Sequence, residues 1–216
     1  MNKITVCLTS CNRFHLLERT LNSFLALNTY PIEKYIINED SGSKEVIKKI
    51  IDKYGDLVHV IRSPKNEGLL KAIDNLYKLV DTEYIFHMED DWLFSGNNNF
   101  MQQSLDILNG NPGIHQVWIR NGIPQDWLDS ENHGIYKMVK QQHCGDWCGF
   151  SLNCSLKRLN DYKKMFPSGY NALRILEKNS AISEHECNMH AYKQGYRAAL
   201  LNNPACTHIG DGQSTY

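Results

Sequence analysis

Short apolar runs alternate with longer amphipathic stretches along the first part of the chain. Ile4–Leu8, Tyr35–Ile37, Val58–Ile61 and Tyr84–Met88 have strand length, whereas Phe14–Leu27, Lys44–Tyr54 and Leu69–Val80 carry apolar residues at helical spacing. Helical phasing is clearest in Leu16, Leu17, Thr20, Leu21, Phe24 and Leu27, which share one face. This alternation predicts βαβ units around a largely parallel sheet. Further along, Phe150–Cys154 reads as a strand, Leu156–Phe166 as a helix, and Ala198–Leu201 as a strand. A last helix is expected over Ser183–Gln194, with Ser183 as N-cap and Glu186 completing a capping box. Glu184 then falls in its first turn, where the helix dipole favours a negative charge.

Between these regions, Arg120–Gly149 is rich in Asn, Asp, Gln, Gly and Trp and has weak periodicity. Such a stretch reads as a large binding loop. The faces of Trp127 and Trp147, flanked by amides and carboxylates, suit the apolar face and hydroxyl rim of a sugar.

The early strands end in polar residues: Thr9-Ser10-Cys11-Asn12-Arg13, Asn38-Glu39-Asp40-Ser41-Gly42-Ser43 and Glu89-Asp90-Asp91. In a parallel sheet these exits share one edge, where open α/β sheets bind ligands. The consecutive carboxylates Glu89, Asp90 and Asp91 repel one another unless a cation or ordered donors offset them. Hard oxygen ligands favour Mg or Mn over zinc.

Bulk composition narrows the alternatives. With 216 residues, 42% of them hydrophobic and 22% charged, one compact domain over 1–216 is expected. Lys plus Arg number 23 against 24 Asp plus Glu, which leaves no footprint for nucleic acid or an anionic membrane. The segment Met1–Ser10 is neither a signal peptide nor a membrane span. Seven cysteines without framework spacing fit a reducing, cytoplasmic setting. His143, Cys144, Cys148 and Cys154 match no familiar zinc pattern. In His185-Glu186-Cys187-Asn188-Met189-His190 the second histidine comes five residues after the first rather than four, so the pair diverges around a helix and a zinc hydrolase is rejected.

These motifs together resemble a GT-A-fold glycosyltransferase of the family-2 type, small inverting enzymes that use nucleotide-sugar donors. The resemblance covers Thr5–Arg13, the acidic turn Asn38–Ser43, Asn66-Glu67-Gly68 with Ala72 and Asn75, Glu89-Asp90-Asp91 in place of the Asp-x-Asp motif, and Ser183-Glu184-His185-Glu186 ahead of Gly195-Tyr196-Arg197. Two departures stand out: Glu replaces Asp at the start of the metal motif, and Ser183-Glu184 stands where Glu-Asp is usual.

The resemblance implies an α/β, Rossmann-like GT-A domain whose central, mainly parallel mixed sheet is flanked by helices. Residues 1–92 would form a nucleotide-binding half and 93–216 an acceptor-binding and catalytic half. It implies a divalent Mn or Mg ion held by Asp91 and His208, with Glu89 as a further metal ligand or, like Asp90, a donor-ribose contact. Thr9, Ser10, Asn12, Arg13, Asp40, Asn66 and Lys71 would bind the nucleotide, with Asp40 reading a uracil imide and Arg13 and Lys71 meeting the diphosphate. Glu184, or alternatively Glu186, would be the general base, and Trp147, Gly149 and Phe150 would border a glycan acceptor. UDP is favoured over GDP on the resemblance alone. A sugar nucleotidyltransferase would open with a glycine-rich basic loop, absent from Thr9–Arg13. A non-catalytic carbohydrate-binding module is the other alternative, and it would survive loss of Glu184.

Overall fold

The computed structural model describes residues 1–140, 149–173 and 180–213. The chain opens with β1 (Ile4–Ser10), α1 (Phe14–Leu27), β2 (Lys34–Glu39), α2 (Lys44–Tyr54), β3 (Val58–Arg62), α3 (Leu69–Tyr77) and β4 (Tyr84–Glu89). Every early strand and helix expected from periodicity is present, with α1 and α2 at the expected bounds and α3 ending before Val80. Local chemistry explains α2: the Ser43 hydroxyl accepts from Val46 N–H, and Val46, Ile47, Ile50 and Tyr54 form its buried face.

Next come β5 (Trp92–Phe94), α4 (Phe100–Gly110), β6 (Ile114–Trp118), β7 (Leu128–Asn132) and β8 (Tyr136–Val139). Last are β9 (Ser155–Arg158), α5 (Leu159–Met165), α6 (Ser180–Lys193), β10 (Arg197–Leu201) and β11 (Cys206–His208). The order β3-β2-β1-β4-β9-β6-β10-β8-β7 makes a mixed sheet in which only β9 and β8 run against the rest. β11 pairs with β5 in a second, two-stranded sheet, His208 opposite Trp92. One apolar layer under α1 and α4 is built around stacked and edge-on rings of Phe24, Phe86, Phe94 and Phe100. A second lies on the opposite face under α3, α5 and α6.

Four expectations are corrected. Up to residue 140, the stretch after Arg120 is not irregular, because β7 and β8 form an antiparallel hairpin that β8 attaches to β10. The strand expected at Phe150–Cys154 lies at Ser155–Arg158 instead, because the N–H groups of Phe150 and Leu152 bond to Asn188 and Glu184 side chains rather than to a neighbouring strand. The following helix accordingly starts at Leu159 and ends at Met165. α6 begins by Ser180, so Ser183 is not its N-cap and Glu184 lies beyond the first turn; nothing in Ser180-Ala181-Ile182 breaks a helix. Among the described residues no helix is long and apolar enough to cross a membrane.

Candidate active site

The parallel registers Thr9↔Asn38 and Thr9↔Glu89 place the exits of β1, β2 and β4 side by side, as the sequence implied. The acids of the third exit meet different fates. Asp90 is fully buried and saturated: it pairs with the Arg13 guanidinium, accepts from Ser10 Oγ at 3.0 Å, and its backbone carbonyl takes the Thr20 hydroxyl. Burial pushes its pKa up to about 6 against the pull of Arg13. Arg13 also reaches Asp91 Oδ2 at 3.0 Å and the Gln213 carbonyl at 2.9 Å. Arg13 is therefore a counter-ion of the acid cluster, and Asp90 faces it.

Asp91 is 6% exposed; among the described residues its buried Oδ1 has no hydrogen-bond partner, and its Oδ2 lies 3.4 Å from His208 Nε2. His208 Nδ1 contacts Asp211 Oδ1 at 2.9 Å, which orients the ring. Gly210 closes over this pair: a Cβ on it would stand 2.4 Å from Asp91 Oδ2. Among the described residues no three His, Cys, Asp or Glu side chains converge on one point. Asp91 and His208 nevertheless fit a divalent ion, since an orphaned carboxylate oxygen and an oriented imidazole supply two ligands and Mg-type sites draw others from substrate phosphates and water.

Glu89 is half-buried at the exit of β4. Burial, then the charges of Asp91 and Glu184, push its pKa up to about 8. Trp92 Nε1 lies 3.4 Å from its Oε2. With the Asn153 amide oriented to satisfy its neighbours, Nδ2 donates to Glu89 Oε2 at 3.0 Å while Oδ1 accepts from Ser151 Oγ at 2.9 Å and Arg120 Nη1 at 3.2 Å.

At the second exit, Asp40 is turned inward, where it accepts from Glu67 N–H at 3.1 Å and Gly68 N–H at 2.9 Å and ties down the turn into α3. Both of its oxygens are thus engaged by backbone donors. The adjacent Glu39, missed in the sequence, accepts from Asn12 and Ser41 N–H through Oε1, both at 3.1 Å, and buries Oε2 without a partner among the described residues. Asn12 itself is exposed in the left-handed region at φ 58°. Thr9 is buried, its hydroxyl without a partner among the described residues. Asn66 Oδ1 accepts from Gly68 N–H at 2.9 Å, and Lys71 is half-exposed in the first turn of α3.

From the other side of the cleft, Glu184 on α6 accepts from Leu152 N–H at 2.8 Å through Oε1. Glu186, two residues on, projects about 200° away around the helix. Glu184's charge acts on Glu89, Arg120 and Lys157, which places all four in one neighbourhood. Lys157 is 3% exposed, with Nζ 3.5 Å from the Ser151 carbonyl and 5.7 Å from the Phe150 ring centroid; burial lowers its pKa to about 8.

Two expected acceptor residues belong to the interior. Phe150 is 1% exposed and stacks on His115. Gly149, at φ 81°, packs so tightly on Val139 that a Cβ would lie 2.7 Å from its side chain. Trp147, with His143, Cys144 and Cys148, lies outside the described residues. Arg120, Asn153 and Lys157 were missed because none belongs to a recognisable motif, and Lys157, next to Arg158, reads as an ordinary surface charge in the sequence.

Structures of this architecture have been solved. Staphylococcus aureus TarS, residues 1–349, superposes with a TM-score of 0.67 at 17% identity, over 96% of this chain and 60% of that one. Its complex with UDP-GlcNAc gives 0.68 at 16%, over 95% and 58%. A mannosyltransferase from Pyrobaculum calidifontis in complex with GDP-Man and Mn2+ gives 0.63 at 14%, over 99% and 58%. The chain thus spans about three-fifths of the length of these structures, and at such identities they establish the GT-A fold. No curated protein matches the chain. The model of glycosyl transferase family 2 matches residues 5–146, more than half of the sequence, and the chain belongs to that family.

Proposed function

We propose that the protein transfers a sugar from a nucleoside-diphosphate donor, UDP-linked, to a hydroxyl of a glycan acceptor, with inversion and with Glu184 as general base. Residues 1–92 serve the nucleotide and 93–216 the acceptor and the chemistry. The observation that carries this reading is the position of Glu184. Its charge acts on Glu89, at the exit that also bears Asp91, and its Oε1 is held by Leu152 N–H.

Asp91 and His208 would hold a divalent Mn or Mg ion, whose chemistry is to stabilise the charge that builds on the departing diphosphate. Arg13 leaves one cationic group already in place, so the three adjacent acids carry less net charge before any ion arrives. Glu39 Oε2 is the oxygen to which an imide N–H of the base would donate, and Thr9, Asn12, Asn66 and Lys71 would contact the rest of the nucleotide. On the acceptor side Glu184 Oε2 takes the proton as the hydroxyl attacks the anomeric carbon from the face opposite the diphosphate. Leu152 N–H, by donating to Oε1, fixes the orientation of the carboxylate.

Glu184→Gln is the direct test. Sugar transfer should fall by about a hundredfold or more while UDP binding, followed by thermal shift, is retained; Glu186→Gln should stay near wild type. Transfer that persists in Glu184→Gln would reject this residue as the base. Undiminished glycan binding without any transfer in the wild type would favour a carbohydrate-binding module.

A further inference from the structure

Arg120 follows β6, which runs in the same direction as β1 and β4, so it emerges on the edge of the sheet that carries the acid cluster. Its backbone bridges to Cys206 at the start of β11, the strand that bears His208. The guanidinium lies over the Trp118 ring, 5.2 Å from its centroid. A guanidinium carries five N–H donors and cannot lose its charge in a protein. Among the described residues Arg120 uses one of them, Nη1 to Asn153 Oδ1 at 3.2 Å, and its Nε is buried with no partner.

A largely enclosed cation with unmet donors has given up water without full replacement, and missing acceptors of this kind are what a bound ligand supplies. The negative charges of Glu184 and Glu89 both act on it. Asn153 joins the two sides, since the same amide holds Arg120 through its oxygen and Glu89 through its nitrogen. The space that Arg120 faces is therefore the gap between the donor-side acids and the base. In the function proposed above, on which this inference rests, that gap is where the transferred sugar must lie for its anomeric carbon to be attacked.

The geometry points to Arg120 as a binding residue for the transferred sugar of the donor, its uncommitted N–H groups donating to ring-substituent oxygens, either hydroxyl or acetamido carbonyl. The planar fork suits neighbouring oxygens on one sugar face better than a lysine would. Trp118 beneath and Asn153 beside it hold the fork in place before the donor arrives, which lowers the ordering cost of binding.

The test compares the bare nucleotide with its sugar conjugate. Dissociation constants of UDP, UDP-glucose, UDP-GlcNAc, GDP and GDP-mannose, each with Mn2+, would be measured by calorimetry on the wild type, Arg120→Met and Arg120→Lys. The wild type should bind one conjugate more tightly than its parent nucleotide. Arg120→Met should lose about tenfold or more of that added affinity while binding the bare nucleotide within about twofold of wild type. Arg120→Lys, which keeps the charge and most of the stem, should lose part of it, and it carries the test if the methionine variant fails to fold. If the tightening survives in both variants, or UDP and its conjugates weaken together, the assignment of Arg120 to the sugar is overturned while the transferase reading stands. If the wild type binds no nucleotide or conjugate at all, the transferase reading fails and takes this inference with it.

Discussion

Replacing Lys157 with methionine should stabilise the protein near neutral pH. Lys157 is 3% exposed on β9, between β4 and β6, and burial lowers its pKa from the ordinary 10.5 to about 8. A tenfold change in an ionisation constant is worth about 1.4 kcal/mol, so keeping this ammonium charged in the folded state costs about 3 kcal/mol. The Phe150 ring and the distant Ser151 carbonyl return about 1 kcal/mol, which methionine forfeits. Methionine, similar in length and content to be buried, should therefore gain about 2 kcal/mol, or roughly 4–8 °C in Tm for a chain of this size.

The pH dependence follows with a definite sign. Between about pH 8 and 10.5 the unfolded chain holds a proton at Lys157 that the folded chain has released. Wild-type stability therefore rises relative to the variant through that window. Urea unfolding at several pH values from neutral to about 10.5 would show the variant's advantage shrinking and then vanishing. A variant less stable than wild type at neutral pH, by an amount that stays constant up to about pH 10.5, would refute the argument and make the ammonium a net stabilising partner of its neighbours.

Arg13→Ala should cost about 3–5 kcal/mol in urea unfolding, because it strands the fully buried Asp90 and removes a neighbour of Asp91; a loss below about 1 kcal/mol would mean that the pair is not the keystone of the first turn. Gly210→Ala should displace Asp91 and His208, since no Cβ fits 2.4 Å from Asp91 Oδ2. Calorimetry should then show Mn2+ binding, in the presence of UDP, weakened about 10–100-fold, and unchanged Mn2+ affinity would remove this loop from the ion site.

The halves of the chain differed in legibility. α1 and α2 could be read from sequence because their stripes repeat within each helix and, for α2, the Ser43 cap is local. The convergence of the exits of β1, β2 and β4 was also legible, since parallel pairing through βαβ units leaves those ends on one edge. Less could be read after Trp92. α4 and β6 carry no motif, and the turn over residues 150–154 looks like a strand until α6 is seen to take its N–H groups.

Sequence alone determined that acids gather at one edge of a parallel sheet, because periodicity and strand direction are properties of contiguous segments. Tertiary structure decided which acid does what. Asp90 is silenced by Arg13, 77 positions away, and Asp40 by Glu67 and Gly68, leaving the orphaned oxygens on Asp91 and Glu39. The sign of the side chain does not distinguish these neighbours in the sequence. Their partners are distant in the chain, and only the folded topology brings those donors within hydrogen-bonding distance of one carboxylate and withholds them from the next.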